Sequence, residues 1–144
     1  MAGLINTGGI HHLRLTCTDV ARSKDFYTGL LGFEVAADSP PAGDPGAEEA
    51  YPVLWGGCVL VRGELLLGLR PVAPDSDRFD EDRVGLDHLS FNVATRAELD
   101  DAVALFDSRG ISHGEIKTLA GFDICVLPFR DPDNIQVELT SPMA

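Results

Sequence analysis

With 144 residues, 44% of them hydrophobic, the chain is long enough for one domain or two small similar modules and needs no disulfide or metal staple to hold its core. Acidic side chains outnumber basic ones 23 to 11, and the net charge of -12 leaves no basic stripe to replace the counterions of a nucleic acid or an anionic membrane. Three cysteines, Cys17, Cys58 and Cys125, are odd in number, far apart and without CxxC spacing, so buried reduced thiols and a cytoplasmic setting are expected; no cationic leader and no apolar run of membrane-spanning length is visible.

In chain order, residues 10–16 alternate apolar and polar as a strand does. Thr18 or Asp19 is placed to cap a helix with Phe26, Tyr27, Leu30 and Leu31 on one face, and Gly32 stands where a left-handed C-terminal cap belongs. Residues 33–36 resume as a strand. Residues 37–50, rich in Pro, Gly, Asp and Glu, read as a mobile loop bordering a pocket, and 51–61 as β-rich. Arg62-Gly63 suggests a tight turn into a strand at 65–70, and 72–84, dense in charge and opened by prolines, an exposed linker. A second strand begins around residue 85. Thr95-Arg96-Ala97-Glu98 is a capping box, Leu99, Ala102, Val103 and Phe106 form a helical face, and Gly110 closes the helix. Strands are then expected at 111–116, at 122–129 and, after the turn Asp131-Pro132-Asp133-Asn134, at 135–140.

The order β-α-β-β-β therefore occurs twice, over about 9–72 and 85–141, with an acidic linker at about 73–84. The expected fold class is α+β: one domain of two such modules, each a curved mixed sheet with its helix outside and its inner face around a metal and substrate pocket. The repeat is sharpest in Gly9-Ile10-His11-His12-Leu13, which returns as Gly85-Leu86-Asp87-His88-Leu89, so that His12 and His88 are equivalent. Laid on each other, the last strands of the modules match Glu138 with Gly68. A carboxylate between Val137 and Leu139 is costly to bury unless it is paired or bound to a metal. One histidine on a half-buried strand is ordinarily a hydrogen-bonded core residue, but two at equivalent places with a carboxylate suit Fe, Mn, Zn, Ni or Co as one divalent ion, without choosing among them. His11 and His113 have no equivalents and read as surface or loop residues. Arg14, two residues after His12, shares its face and would orient a substrate carboxylate or phosphate. Arg70, Trp55 and Phe122 are the other candidate substrate-binding residues.

Those stretches, with Arg22-Ser23-Lys24-Asp25-Phe26-Tyr27, Leu31-Gly32-Phe33 and Asp131-Pro132-Asp133-Asn134-Ile135-Gln136-Val137-Glu138-Leu139, resemble the vicinal oxygen chelate superfamily. That group holds glyoxalase I, methylmalonyl-CoA epimerase, extradiol dioxygenases, and fosfomycin- and bleomycin-resistance proteins. The resemblance implies metal ligands at His12, His88 and Glu138, a homodimer, and a small-molecule substrate that chelates the metal through two adjacent oxygens. It also implies a fourth ligand where this chain has Gly68. Glycine neither ligates nor moves a proton, so the chain departs there from the glyoxalase and epimerase branches, with Glu64 the nearby carboxylate. The three-ligand set is similar to that of the dioxygenase and fosfomycin branches. The alternative is a non-catalytic drug-binding protein resembling the bleomycin-resistance branch, which shares this size and acidity but generally lacks the ligands.

Overall fold

A computed structural model describes residues 3–144, and these divide into two compact units, one ending at Ser76 and the other spanning Asp77–Ala144. The first holds β1 (His12–Thr16), α1 (Val20–Leu31), β2 (Glu34–Asp38), α2 (Ala47–Leu54), β3 (Cys58–Arg62) and β4 (Leu65–Arg70). The second holds β5 (Leu89–Asn92), α3 (Arg96–Arg109), β6 (Lys117–Leu119), a 3-10 turn (Ala120–Phe122), β7 (Ile124–Arg130) and β8 (Gln136–Pro142). Each unit forms one four-stranded mixed sheet, in the orders β1-β4-β3-β2 and β5-β8-β7-β6. The repeated order expected from the sequence is present in both. In each sheet the first strand lies parallel to the last, at an edge, and the other pairings are antiparallel.

Alternation along the strands assigns the faces. Leu15, Leu60, Leu67 and Leu69 are fully or almost fully buried on the side of sheet one that meets α1, where Tyr27 is also inaccessible. In unit two, Leu127, Phe129, Val137 and Leu139 pack under Leu99 and Phe106 of α3, with the Phe106 and Phe129 rings stacked 4.7 Å apart. The opposite faces are left to His12, Arg14 and Gly68 in one unit and to Ser90 and Glu138 in the other.

Helix ends follow the local chemistry. Asp19 accepts from Arg22 N, Thr95 and Glu98 form a reciprocal capping box, and Gly32 and Gly110 adopt the left-handed conformation at the two C-termini. The Asp131-Pro132-Asp133-Asn134 turn is held from within, since Asp131 Oδ1 accepts from both Asp133 N and Ile135 N.

Several expectations are corrected. Residues 37–50 are not one loop: β2 continues to Asp38, only 39–46 are irregular, and α2 starts at Ala47. Residues 51–54 belong to that helix, so β3 begins at Cys58 and not near Tyr51. Glu48 and Glu49 sit in the first turn of α2, where carboxylates are favoured by the helix dipole, although that is too small to offset Pro52 inside the helix. Residues 111–116 contribute only an isolated antiparallel bridge between His113 and Phe129, made by Gly114 N to Pro128 O and Arg130 N to Ser112 O, and the strand forms later as β6. Phe122 lies in the 3-10 turn and β7 starts at Ile124. The linker is exposed as expected, yet its second half is tied down in unit two. Arg130 grips Glu81 with both terminal nitrogens, at 2.8 and 2.5 Å, and holds that carboxyl down to about 2; Arg78 reaches Asn134 Oδ1, and Asn134 Nδ2 reaches Phe79 O.

Candidate functional site

In unit two, His88 directly precedes β5, and Glu138 lies in β8 opposite Ser90. His88 Nδ1 is 2.5 Å from Asp87 Oδ1. A carboxylate there accepts the Nδ1 proton, so the imidazole keeps its Nε2 lone pair outward, the tautomer a metal ligand needs. That Nε2 stands 3.9 Å from Glu138 Oε1. Two donors held about 2.1 Å from one ion at angles of about 90–110° are about 3.0–3.4 Å apart, so a small turn of the exposed ring brings the pair to ligating distance. The Glu138 side chain is 15% exposed and, among the described residues, accepts only a long contact of 3.4 Å from Thr140 Oγ1, whose hydroxyl is engaged with Ser90 Oγ at 2.5 Å. A carboxylate so sparsely satisfied on a largely buried strand has capacity left for a cation.

In unit one, His12 opens β1 and is exposed, and its Nδ1 lies 2.9 Å from Nδ1 of His11. One ring must donate and the other accept, and with His12 as the donor its Nε2 keeps the lone pair that a metal needs. The same arrangement therefore occurs twice: the residue before each repeated histidine, His11 or Asp87, engages its Nδ1. His11 is exposed and outside β1, as expected, and its ring is also the hydrogen-bonding neighbour of the candidate ligand. This pairing was missed because alternation along a strand says nothing about the residue just outside it, although the repeat itself would have pointed to it.

His12, Arg14, Val59, Leu66 and Gly68 line a cavity of about 180 Å³ on sheet one. Arg14 lies across Gly68 and donates to Val53 O, at the end of α2, over 3.3 Å. Trp55 ends α2 in a left-handed conformation, φ 57°, and the Arg70 guanidinium sits 4.2 Å from its ring centroid. A side chain other than glycine at positive φ is strained, and here the strain sets the indole against Arg70. Phe122 is 78% exposed, at the end of sheet two where Ile124 pairs with Pro142, whereas Glu138 pairs with Pro128. Glu64 lies in the β3–β4 turn, about 13 Å along the strand from Gly68, and does not stand in for the absent ligand. His113 is in a loop as expected, bonded to Gly114 O and Asp107 Oδ1.

A larger cavity, about 680 Å³, opens between α1, the loop after β2 and α2. Its charged lining is Glu48 and the Lys24–Asp38 pair, closed on itself at 2.6 Å, and it includes none of the repeated residues. The smaller cavity is the one that borders chemistry. Among the described residues no group of three or more His, Cys, Asp or Glu side chains is gathered closely enough to hold a metal, and no helix is long and apolar enough to cross a membrane. All three cysteines are buried and none is in a disulfide, and burial pushes the Cys58 thiol up to about 11.

Comparison with known proteins extends over nearly the whole chain. The family model described as Glyoxalase/Bleomycin resistance protein/Dioxygenase superfamily matches residues 9–139. The uncharacterized protein YaeR of Escherichia coli (strain K12) is 30% identical over 132 residues, covering 90% of this chain and 93% of its own. The uncharacterized protein YwkD of Bacillus subtilis (strain 168) is 32% identical over 137 residues, covering 90% and 94%. Among solved structures, a glyoxylase/bleomycin resistance protein/dioxygenase domain from Frankia sp. EAN1pec superposes with a TM-score of 0.71 at 26% identity, covering 95% of this chain and 93% of that one.

Proposed function

Because the chain belongs to the Glyoxalase/Bleomycin resistance protein/Dioxygenase superfamily, we propose that it is a divalent-metal-dependent enzyme acting on a small molecule with two adjacent oxygens. His88 and Glu138 are two ligands and His12 is the third, supplied by the same chain or by a second copy in a homodimer. The observation that carries this reading is the His88–Glu138 pair: a histidine whose Nδ1 is taken by Asp87, its Nε2 3.9 Å from a carboxylate with almost no other partner. When bound, such an ion acts as a Lewis acid that polarises the chelated oxygens and stabilises the anion formed from them.

The chain's own residues divide the remaining tasks. Asp87 holds His88 in the ligating tautomer, His11 fixes the orientation of the His12 ring through Nδ1, and Arg14 and Arg70, with Trp55, bind and orient the organic part of the substrate. Phe122 is proposed as an apolar contact. With glycine at position 68 the metal has three protein ligands and more open positions than a four-ligand site, and no glutamate stands there as a base. The reading therefore favours dioxygenase-like or lyase-like chemistry in which the metal does most of the electrostatic work.

Metal analysis after anaerobic loading with Fe(II), Mn(II), Zn(II), Ni(II) or Co(II) tests this. Wild type should bind about one equivalent of at least one of them, and Glu138→Ala should bind at least tenfold more weakly. Wild type without stoichiometric metal under any loading would replace the enzyme reading by that of a small-molecule binding protein. Metal bound equally well by Glu138→Ala would remove that ligand.

A further inference from the structure

The two parallel edge pairs differ in one respect that the repeat makes visible. Arg14 is opposite Gly68 in β1–β4, and Ser90 is opposite Glu138 in β5–β8. Each pair holds one long charged side chain and one short partner, but the charge is inverted, a cation in unit one and a carboxylate in unit two. At Gly68 the exchange is enforced by space. A Cβ there would stand 2.9 Å from Arg14 Nε and 3.2 Å from its Cγ, so the arginine stem fills the place that any side chain at position 68 would need.

Arg14 is also under-used. It is exposed, and the one acceptor it reaches among the described residues is Val53 O at 3.3 Å, for a group with five N–H donors. Further along the same face, Arg70 rests on Trp55 with its Nε buried and without a hydrogen-bond partner. In a chain with 23 acidic side chains, neither guanidinium group is paired with a carboxylate among the described residues. By register the acid on this face is Glu34, opposite Val61 in β2, three strands and about 14 Å from β1. A cation with unmet donors beside an apolar wall of Val59 and Leu66 fits a planar anion on an organic body, because the guanidinium fork matches the two oxygens of a carboxylate.

We infer that Arg14, backed by Arg70, binds a substrate carboxylate, so that the substrate class is a small acid carrying two adjacent oxygens for the metal and a separate carboxylate for Arg14. This rests on the metal reading given above. Successive residues on one face of a strand are about 7 Å apart, so His12 and Arg14 engage groups separated by several bonds and not the two oxygens of one chelate ring.

Two matched probes test the inference: catechol, with adjacent oxygens only, and 3,4-dihydroxybenzoate, with the same oxygens and a carboxylate across the ring. Titrated calorimetrically into Co(II)-loaded protein, the acid should bind about tenfold more tightly than catechol. Arg14→Met should reduce that ratio to within about twofold, Arg14→Lys should keep part of it, and Gly68→Ala, which displaces the guanidinium without removing its charge, should also reduce it. Equal affinities in wild type, or a ratio unchanged in both Arg14→Met and Gly68→Ala, would overturn the carboxylate site while leaving the metal reading intact. Failure of catechol itself to bind would strike the metal reading instead. The carboxylate site is then decided on metal-free protein, where benzoate should shift the Arg14 Nε–H resonance saturably, and no shift would overturn it.

Discussion

At the scale of single residues, Asp87 determines which nitrogen of His88 is open to a metal. His12, His88 and Glu138 stand out because two of them occupy equivalent positions and the third is a charge on an apolar strand. Asp87 and His11 were not legible, because their role lies in which imidazole nitrogen they occupy, and that depends on the backbone just before a strand. This gives Asp87 a testable weight. Losing the acceptor lets the His88 proton move between its nitrogens, and partners of this kind are worth about 10–100-fold in metal affinity. Asp87→Ala should therefore weaken binding by that factor in competition with a chelating dye, while Asp87→Asn, whose amide oxygen still accepts, should cost less. Equal affinity in wild type and Asp87→Ala would reduce Asp87 to a bystander.

At the scale of elements, the helices with good caps were legible and the structure between residues 39 and 57 was not. α2 has no side-chain N-cap, contains Pro52, and ends on a left-handed Trp55, so its acidic first turn is a weak local sign of a helix. It depends on tertiary partners, among them Arg14 at Val53 O and Arg70 at Trp55. The region after α3 escaped the sequence for a related reason: His113 is fixed by side-chain chemistry and not by a ladder. The Gly114 carbonyl first and Asp107 second raise its pKa above the ordinary 6.5, while its ring lies against Phe106. A group whose pKa is raised by folding stabilises the fold fully below its unfolded value and loses that contribution as pH climbs through the folded one. Asp107→Asn should accordingly lower the unfolding midpoint relative to wild type at about pH 5.5, below the ordinary histidine value, and the difference should fade as pH rises through the raised folded value. A difference independent of pH over this interval would show that Asp107 acts on stability by some route other than His113.

At the scale of the whole molecule, each unit carries its own core, and none of the proposed ligands belongs to either. Leu60, Leu67, Leu69 and Tyr27 fill one, Leu99, Phe106, Leu127 and Val137 the other, while His12 and His88 are exposed and Glu138 lies on the opposite face of β8 from Val137 and Leu139. A metal bound as proposed would therefore be a passenger on a fold that has its cores without it, unlike the ion of a small metal-dependent module. It would still add stability by mass action, about 2.7 kcal/mol at a hundred times its dissociation constant. For a chain of this size, where about 1 kcal/mol moves the midpoint by about 2–4 °C, that is a rise of about 5–10 °C. Removing it with a chelator should lower the unfolding midpoint by that much, leave the far-ultraviolet circular dichroism unchanged below the transition, and be reversed on reloading. The shift should shrink on acidification, since protons compete for the same imidazole nitrogens. A chelator that unfolded the chain outright would mean that the sheets need the ion to form, and the two cores described here would not be sufficient.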